Sequence, residues 1–317
     1  MTTLQKIYAI PNSRTQRAVT EVYNSLNSAI DGVQFVNPSG GQDYFVDENV
    51  STTGSGGLSW GDAFKTLKEA ITASNISIAL TANRWGARRN RIFVVAAVLT
   101  ETLTAYPTKC DVIGVGSYDG NARPGLTGHH VPASESYATR WINIQFNAVA
   151  AAAAIHTLAG AADVSGCQFH DCAFNATAGT VTSAILATAM PGLVVRNCEM
   201  LGAFATSYIS FGTGSAQRSI MEGNKMSGSL GAGVILGAGT TSPSGDMWLK
   251  DNDIQCVGEW VTDSASILNI INNRALTGVD CATYTSGFTG SLGLMSGNLQ
   301  TGSNAFDCDS VPHILFA

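Results

Sequence analysis

Two kinds of side chain in this sequence could do chemistry by type and spacing: carboxylates set close together, and thiols beside charges. The stretch "GEWVTD" places Glu259 and Asp263 on either side of Trp260. Two carboxylates about 5–9.5 Å apart can act as acid and base in glycoside cleavage, and an indole beside them can stack on a sugar ring. Glu259 and Asp263 are therefore the candidate catalytic pair and Trp260 the candidate glycan-binding residue. The stretch "VVRNCEMLG" (Val194–Gly202) sets Cys198 beside Arg196 and Glu199. Read alone, it looks like a reactive thiol patch.

Other constellations point away from chemistry. "FHDC" (Phe169–Cys172) joins His, Asp and Cys, but neighbouring strand residues face opposite ways, so no Cys–His dyad is expected. His129 and His130 are adjacent, lack the spacing of a metal site and read as loop residues. "GVGSYDG" departs from G-x-G-x-x-G, and Pro124 stands where a helix should run. No metal, cofactor or nucleotide is expected.

The elements that hold these residues form a repeat. The pattern apolar-x-x-(Cys/Asn)-x-apolar places Cys167, Cys198, Asn224, Asn252 and Asn273 in one column, with Asn298 fitting after a slip of one residue. Ile144 fits upstream and Val115 loosely. The period is about 26 residues, too irregular for leucine-rich repeats and too poor in amphipathic helix for TPR or ankyrin units. Its segments, such as "GLVVRN", "AGVILG" and "DMWLKDN", are short, β-prone and bounded by Gly, Ser, Asn or Pro. Two or three short strands per period describe one coil of a parallel β-helix.

Stacked coils give the polar residues structural work. An asparagine at each turn can bond its counterpart in the next coil, which avoids a cost of about 1–3 kcal/mol for a buried unpaired amide. The residues after the column run Gln168, Glu199, Lys225, Asp253, Arg274, and those two before it run Arg196, Glu222, Lys250. Both series alternate in sign, so adjacent coils pair opposite charges and fix register. The acidic candidates Asp171 and Asp251 lie beside the same columns. Cys198 is then a column residue, with Arg196 facing Glu222 and Glu199 facing Lys225.

Composition agrees. Only 13% of residues are charged and Gly is abundant at 34 residues, which suits strands and tight turns better than disorder or long helices. A net charge of −6 argues against nucleic acid as a partner. The basic run "RWGARRNR" (Arg84–Arg91) reads as a solvated loop or interface patch. The longest apolar run, Ala148–Ile155, is far short of the ~20 residues of a membrane helix, so no membrane is expected as a partner. The first residues lack a secretory-signal pattern. Seven scattered cysteines without a CxxC pair read as reduced, mostly buried thiols.

From Tyr44, "YFVDENVSTTGSGGLSWGDAFKTLKEAI" resembles the opening of right-handed parallel β-helix proteins of the pectin-lyase-like superfamily. There a Val-Asp strand leads through a Gly/Ser-rich loop to an amphipathic helix that covers the first coil. Here Ser59 is the expected N-cap, Asp62 follows three residues on, and Phe64, Leu67 and Ile71 form the apolar stripe. "RIFVVAAVLTETLTAYPTKCDVIGVGS" is similar to the first coils of that superfamily. The resemblance implies an all-β, right-handed, single-stranded parallel β-helix.

The expected organisation is an N-terminal attachment arm over residues 1–40, with a short helix over Thr15–Ile30. An opening strand and capping helix follow over 41–91, then the β-helix over 92–317 with its own C-terminal cap. An arm followed by a β-helix resembles phage tailspikes and other virion appendages. That resemblance implies a non-catalytic virion structural protein, a decoration, fibre or tail component. It implies a homotrimer joined to other virion proteins through its arm and released by host lysis. The alternative is a tailspike-type hydrolase or lyase acting on bacterial surface polysaccharide.

Overall fold

The computed structural model describes residues 40–50, 56–80, 88–95, 98–116, 123–132, 136–149, 154–159, 166–188, 190–212, 214–215, 217–236, 240–241, 247–258, 260–263, 268–277, 283–284, 295–296 and 298–301. The arm with its Thr15–Ile30 helix, the C-terminal cap and Glu259 lie outside the described residues.

The described chain is a parallel β-solenoid. Its strands form a ten-stranded and a thirteen-stranded sheet, with one further two-stranded pair. In the ten-stranded sheet each strand pairs in parallel with its counterpart one coil on, as Gln168–His170 pairs Val194–Arg196, then Ile220–Glu222, then Met247–Lys250. Most strands there are three to five residues long, and their central residue points inward. The inward column runs Ile92, Val112, Trp141, Phe169, Val195, Met221, Leu249 and Ile270, each at most 1% exposed. Facing it, the thirteen-stranded sheet stacks Leu126, Phe146, Phe174, Met200, Met226 and Ile254. Burial of one such side chain contributes about 1.5–3 kcal/mol, and each coil alone would leave one face of that column uncovered.

Two sharp corners bracket each short strand. The corner before it places Lys109, Ala138, Gly166, Gly192 or Arg218 at positive φ, and the corner after it Asn143, Asp171, Asn197, Gly223, Asp251 or Asn272. The second set is wholly Asn, Asp and Gly, the residues that adopt left-handed backbone at least cost. Each left-handed residue is followed by a buried one that turns into the core.

The helix α1 (Leu67–Leu80) sits against the first coils and buries Leu67, Ala70, Ile71 and Ile78. Its start corrects the sequence expectation. Ser59 precedes only a 3-10 turn over Trp60–Asp62 and makes no side-chain cap bond. The cap of α1 is Thr66 with Glu69: the Glu69 N–H donates to Thr66 Oγ1 (3.3 Å), and Glu69 Oε2 accepts from the Thr66 N–H (3.1 Å). Glu101, from the next coil, accepts the free N–H groups of Leu67 (2.8 Å) and Lys68 (3.1 Å). A carboxylate at this end also complements the helix dipole. Phe64 precedes the helix and bridges to Val46.

Candidate functional site

The second corner builds a continuous polar column. Asn224 Oδ1 accepts the Cys198 N–H (2.9 Å). Asn252 Oδ1 accepts both the N–H (3.0 Å) and the side-chain amide (2.8 Å) of Asn224. Asn273 Oδ1 does the same for Asn252, and Asn298 Oδ1 for Asn273. Each amide also donates to an inward-strand carbonyl: Asn224 to Val195, Asn252 to Met221, Asn273 to Leu249 and Asn298 to Ile270. Cys198 Sγ makes the equivalent bond to Phe169 (3.5 Å).

One member of the expected column is corrected. The residue stacked below Cys198 is Cys172, whose thiol reaches the Trp141 carbonyl and whose own carbonyl accepts the Glu199 N–H. Cys167 follows Gly166 at the other corner, where its carbonyl accepts the Val194 N–H. "VSGCQF" and "FHDCAF" both satisfy the apolar-x-x-Cys-x-apolar pattern, because both corners use a left-handed residue followed by a small buried one. Ile144 shares the Cys172 column, since its carbonyl accepts the Ala173 N–H. Gln168 correspondingly leaves the series that leads to Glu199, and Ala173 takes its place.

The charged columns divide. On the ten-stranded sheet Glu222 sits between Arg196 (2.7 Å) and Lys250 (2.6 Å). Burial pulls the Glu222 carboxyl up, but the Lys250 hydrogen bond and the Arg196 guanidinium outweigh it and hold its pKa below the ordinary value. On the thirteen-stranded sheet Glu199, Lys225, Asp253 and Arg274 stand in register. Glu199 and Lys225 do not close as expected, however. The ion pair of Glu199 is to the buried Arg123 (3.5 Å), and Asp253–Arg274 is open at 3.8 Å. A further alternating column was not read from the sequence: Asp43, Arg91, Asp111 and Arg140, with Arg91 on Asp43 and both Arg89 and Arg140 on Asp111. Arg89 and Arg91 thus leave the basic run as structural residues. The Asp-Arg alternation at one strand position per coil was its available signal.

Glu222→Lys is expected to stack three cations and lower stability by about 1–2 kcal/mol, at the upper end of exposed pairs. Urea unfolding in low and high salt checks this, and the loss should shrink with salt. Cys198→Asn is expected to stay within about 1 kcal/mol of wild type, because an amide there extends the ladder onto the Phe169 carbonyl. Urea midpoints compare the two.

The glycan-stacking expectation for Trp260 is corrected. Trp260 is 2% exposed, and its buried indole N–H has no hydrogen-bond partner. It cannot offer a ring face to a sugar. Asp263 ends the strand Val261–Asp263, where its backbone pairs with Leu236 and Tyr284. Trp248 instead occupies an outward, half-buried position between Ile220 and Asn269.

The histidines are also corrected. His129 is half-buried and meets Thr157 Oγ1 (3.0 Å), but His130 is fully buried and bridges to His156. The two imidazoles lie 4.9 Å apart, between centroids, in a cage with Tyr106, Phe146, Phe169 and Phe174. His130 Nδ1 accepts the Leu103 N–H (3.2 Å), and His156 Nδ1 meets the Tyr106 hydroxyl. Burial, reinforced by His129 and Lys68, lowers the His130 pKa to about 3. Burial also lowers that of His156 well below its ordinary value, helped by His130 and His129. Metal binding fits poorly. A backbone N–H already holds His130 Nδ1, so its remaining proton sits on Nε2, which would have to be stripped first. His170 points outward to Gln168 Oε1 (2.9 Å), away from the inward Cys172.

Burial raises the Cys198 thiol well above its ordinary pKa, as it does Cys110 and Cys167. All five described cysteines are free and buried. Among the described residues no group of three metal-ligating side chains occurs, and no helix is long and apolar enough to cross a membrane.

No protein-family model matches the chain, and no curated protein matches it. Among solved structures, the A-module of a mannuronan C-5 epimerase from Azotobacter vinelandii is similar over 73% of this chain and 95% of that one, at 9% identity and a TM-score of 0.19.

Proposed function

We propose that this protein is a bacteriophage virion structural component, a non-catalytic β-helical appendage of the pectin-lyase-like, tailspike kind. The observation that carries the reading is the use made of the carboxylates. Asp43, Asp111, Glu199, Glu222 and Asp253 are held in ion pairs, four of them between coils through the outward columns, and Glu101 caps α1. These carboxylates act as struts rather than as acid or base, and four of them fix register along the solenoid. Such a rod suits a part that must keep its shape on a particle surface. Immunogold labelling of intact particles from cells carrying the gene tests the reading. Regular label on each particle is expected. Unlabelled particles, or new reducing ends or unsaturated sugars when purified protein meets capsule, O-antigen or pectate, would overturn it.

A second reading, binding of bacterial surface polysaccharide without cleavage, is favoured by Trp248, which faces outward in the same strand as Lys250. Retention of wild type but not of Trp248→Ala on immobilised capsule would support it.

A further inference from the structure

We propose that the outer face of the thirteen-stranded sheet between Glu199 and Leu276 docks a second, antiparallel copy of this chain. This rests on the surface pattern alone and is independent of the particle reading. Two residues in each of four successive strands point outward from this face. Their register is continuous: Glu199 stacks on Lys225, Asp253 and Arg274, while Leu201 stacks on Ser227, Gln255 and Leu276.

The strip is unusual in being both exposed and loosely paired. Leu201 is 38% and Leu276 45% exposed, and the Asp253 and Arg274 side chains are 52% and 68% exposed. Lys225 and Gln255 are exposed as well. The ion pairs along it are 3.5 and 3.8 Å long, against 2.7 and 2.6 Å on the ten-stranded sheet.

The sequence of the strip reads as its own complement when reversed. A two-fold axis along the strand direction, between the strands of Lys225 and Asp253, reverses the order of coils and keeps each column over itself. Glu199 then lies over Arg274 of the second copy, and Lys225 over Asp253. In the neighbouring column Leu201 lies over Leu276 of the second copy, and Ser227 over Gln255. All four charges meet opposite charges, apolar meets apolar, and polar meets polar. An isologous two-fold contact requires this self-complementarity.

Parallel arrangements fail the same test. Copies side by side and in register, as around a three-fold axis, set each charge beside its own kind. A two-fold axis along the solenoid swaps the columns and lays Glu199 over Leu201. The face therefore fits an antiparallel dimer and not the homotrimer that the resemblance implies.

Cross-linking the full-length chain tests this. Leu201→Cys and Leu276→Cys chains are mixed and treated with a short bis-maleimide that bridges about 10 Å, the spacing of packed sheets. Wild type with the same reagent sets the background, and circular dichroism checks that each variant folds. Cross-linked dimer is expected in the mixture and not in either variant alone, because the two Leu201 positions of the dimer lie three coils apart. In sedimentation velocity, Leu276→Glu should weaken the wild-type dimer by about tenfold or more, and salt should weaken it further. Cross-links within either single variant, a trimer, or wild type sedimenting as a monomer up to high concentration would overturn the proposal.

Discussion

Lowering the pH from 7.5 to 4.5 is expected to remove a large part of the stability of this protein, through histidines buried in its core. His130 and His156 are buried as neutral rings; burial pushes the folded pKa of His130 to about 3 and holds that of His156 well below its ordinary value. In the unfolded chain both titrate near 6.5. Below that pH the unfolded state takes up protons that the folded state refuses. The stability they support is therefore complete above pH ~6.5 and is lost as pH falls toward the folded values. Each histidine removes about 1.4 kcal/mol per pH unit. His130 alone over two units gives ~3 kcal/mol, and His156 adds in the same direction, against the roughly 5–15 kcal/mol of a whole domain. Guanidinium unfolding at pH 7.5, 6.0 and 4.5 should show the midpoint falling steeply. His156→Phe keeps the aromatic packing and should make the slope against pH shallower, the remaining slope coming from His130 and from His170, whose pKa burial lowers to about 4, whatever the substitution does to stability at pH 7.5. A midpoint that is flat between pH 7 and 5 in wild type would remove the histidine cage from the account.

The second large effect is expected at Asn252. Its side chain makes four hydrogen bonds, accepting two from Asn224 and donating to Met221 and Asn273. Asn252→Leu keeps the branched shape but strands the Asn224 N–H and the Met221 carbonyl inside the core and leaves Asn273 Oδ1 with only the backbone N–H of residue 252. At roughly 1–3 kcal/mol for each of the two stranded groups the loss is about 2–6 kcal/mol. Asn252→Cys should cost about half as much, since Cys198 holds the same column through a thiol–carbonyl bond. Urea unfolding of the three chains measures the series. Asn252→Leu within about 1 kcal/mol of wild type would mean that the ladder carries little weight.

The coil repeat was legible because every coil repeats the same need. A three-residue strand turns one residue inward, and the corner after it buries a small polar group. The asparagines from Asn224 to Asn298 announced that corner by type. Its phase among the cysteines was not legible from the apolar pattern alone, since Cys167 and Cys172 occupy two corners of like chemistry. The residue before each column member, Asn143, Asp171, Asn197, Gly223, Asp251 or Asn272, shows the phase once left-handed backbone is considered.

Contacts across many residues were the least legible. Glu101 caps a helix more than thirty positions earlier, and Arg123 takes Glu199 away from Lys225. His130 meets His156 only because one coil stacks on another. Trp260 could be placed beside carboxylates in the chain, but nothing local showed that its ring turns into the core.

The claim that ties these findings together is that groups which look reactive are struts. Cys198, between Arg196 and Glu199, is its sharpest case. Alkylation of Cys198 by iodoacetamide, followed by mass spectrometry across a denaturant series, tests it directly. The buried, high-pKa thiol is expected to stay unmodified in the native protein and to react only at the rate of global unfolding. Rapid native-state alkylation that rises between pH 6 and 8, as for an exposed thiolate, would contradict the account.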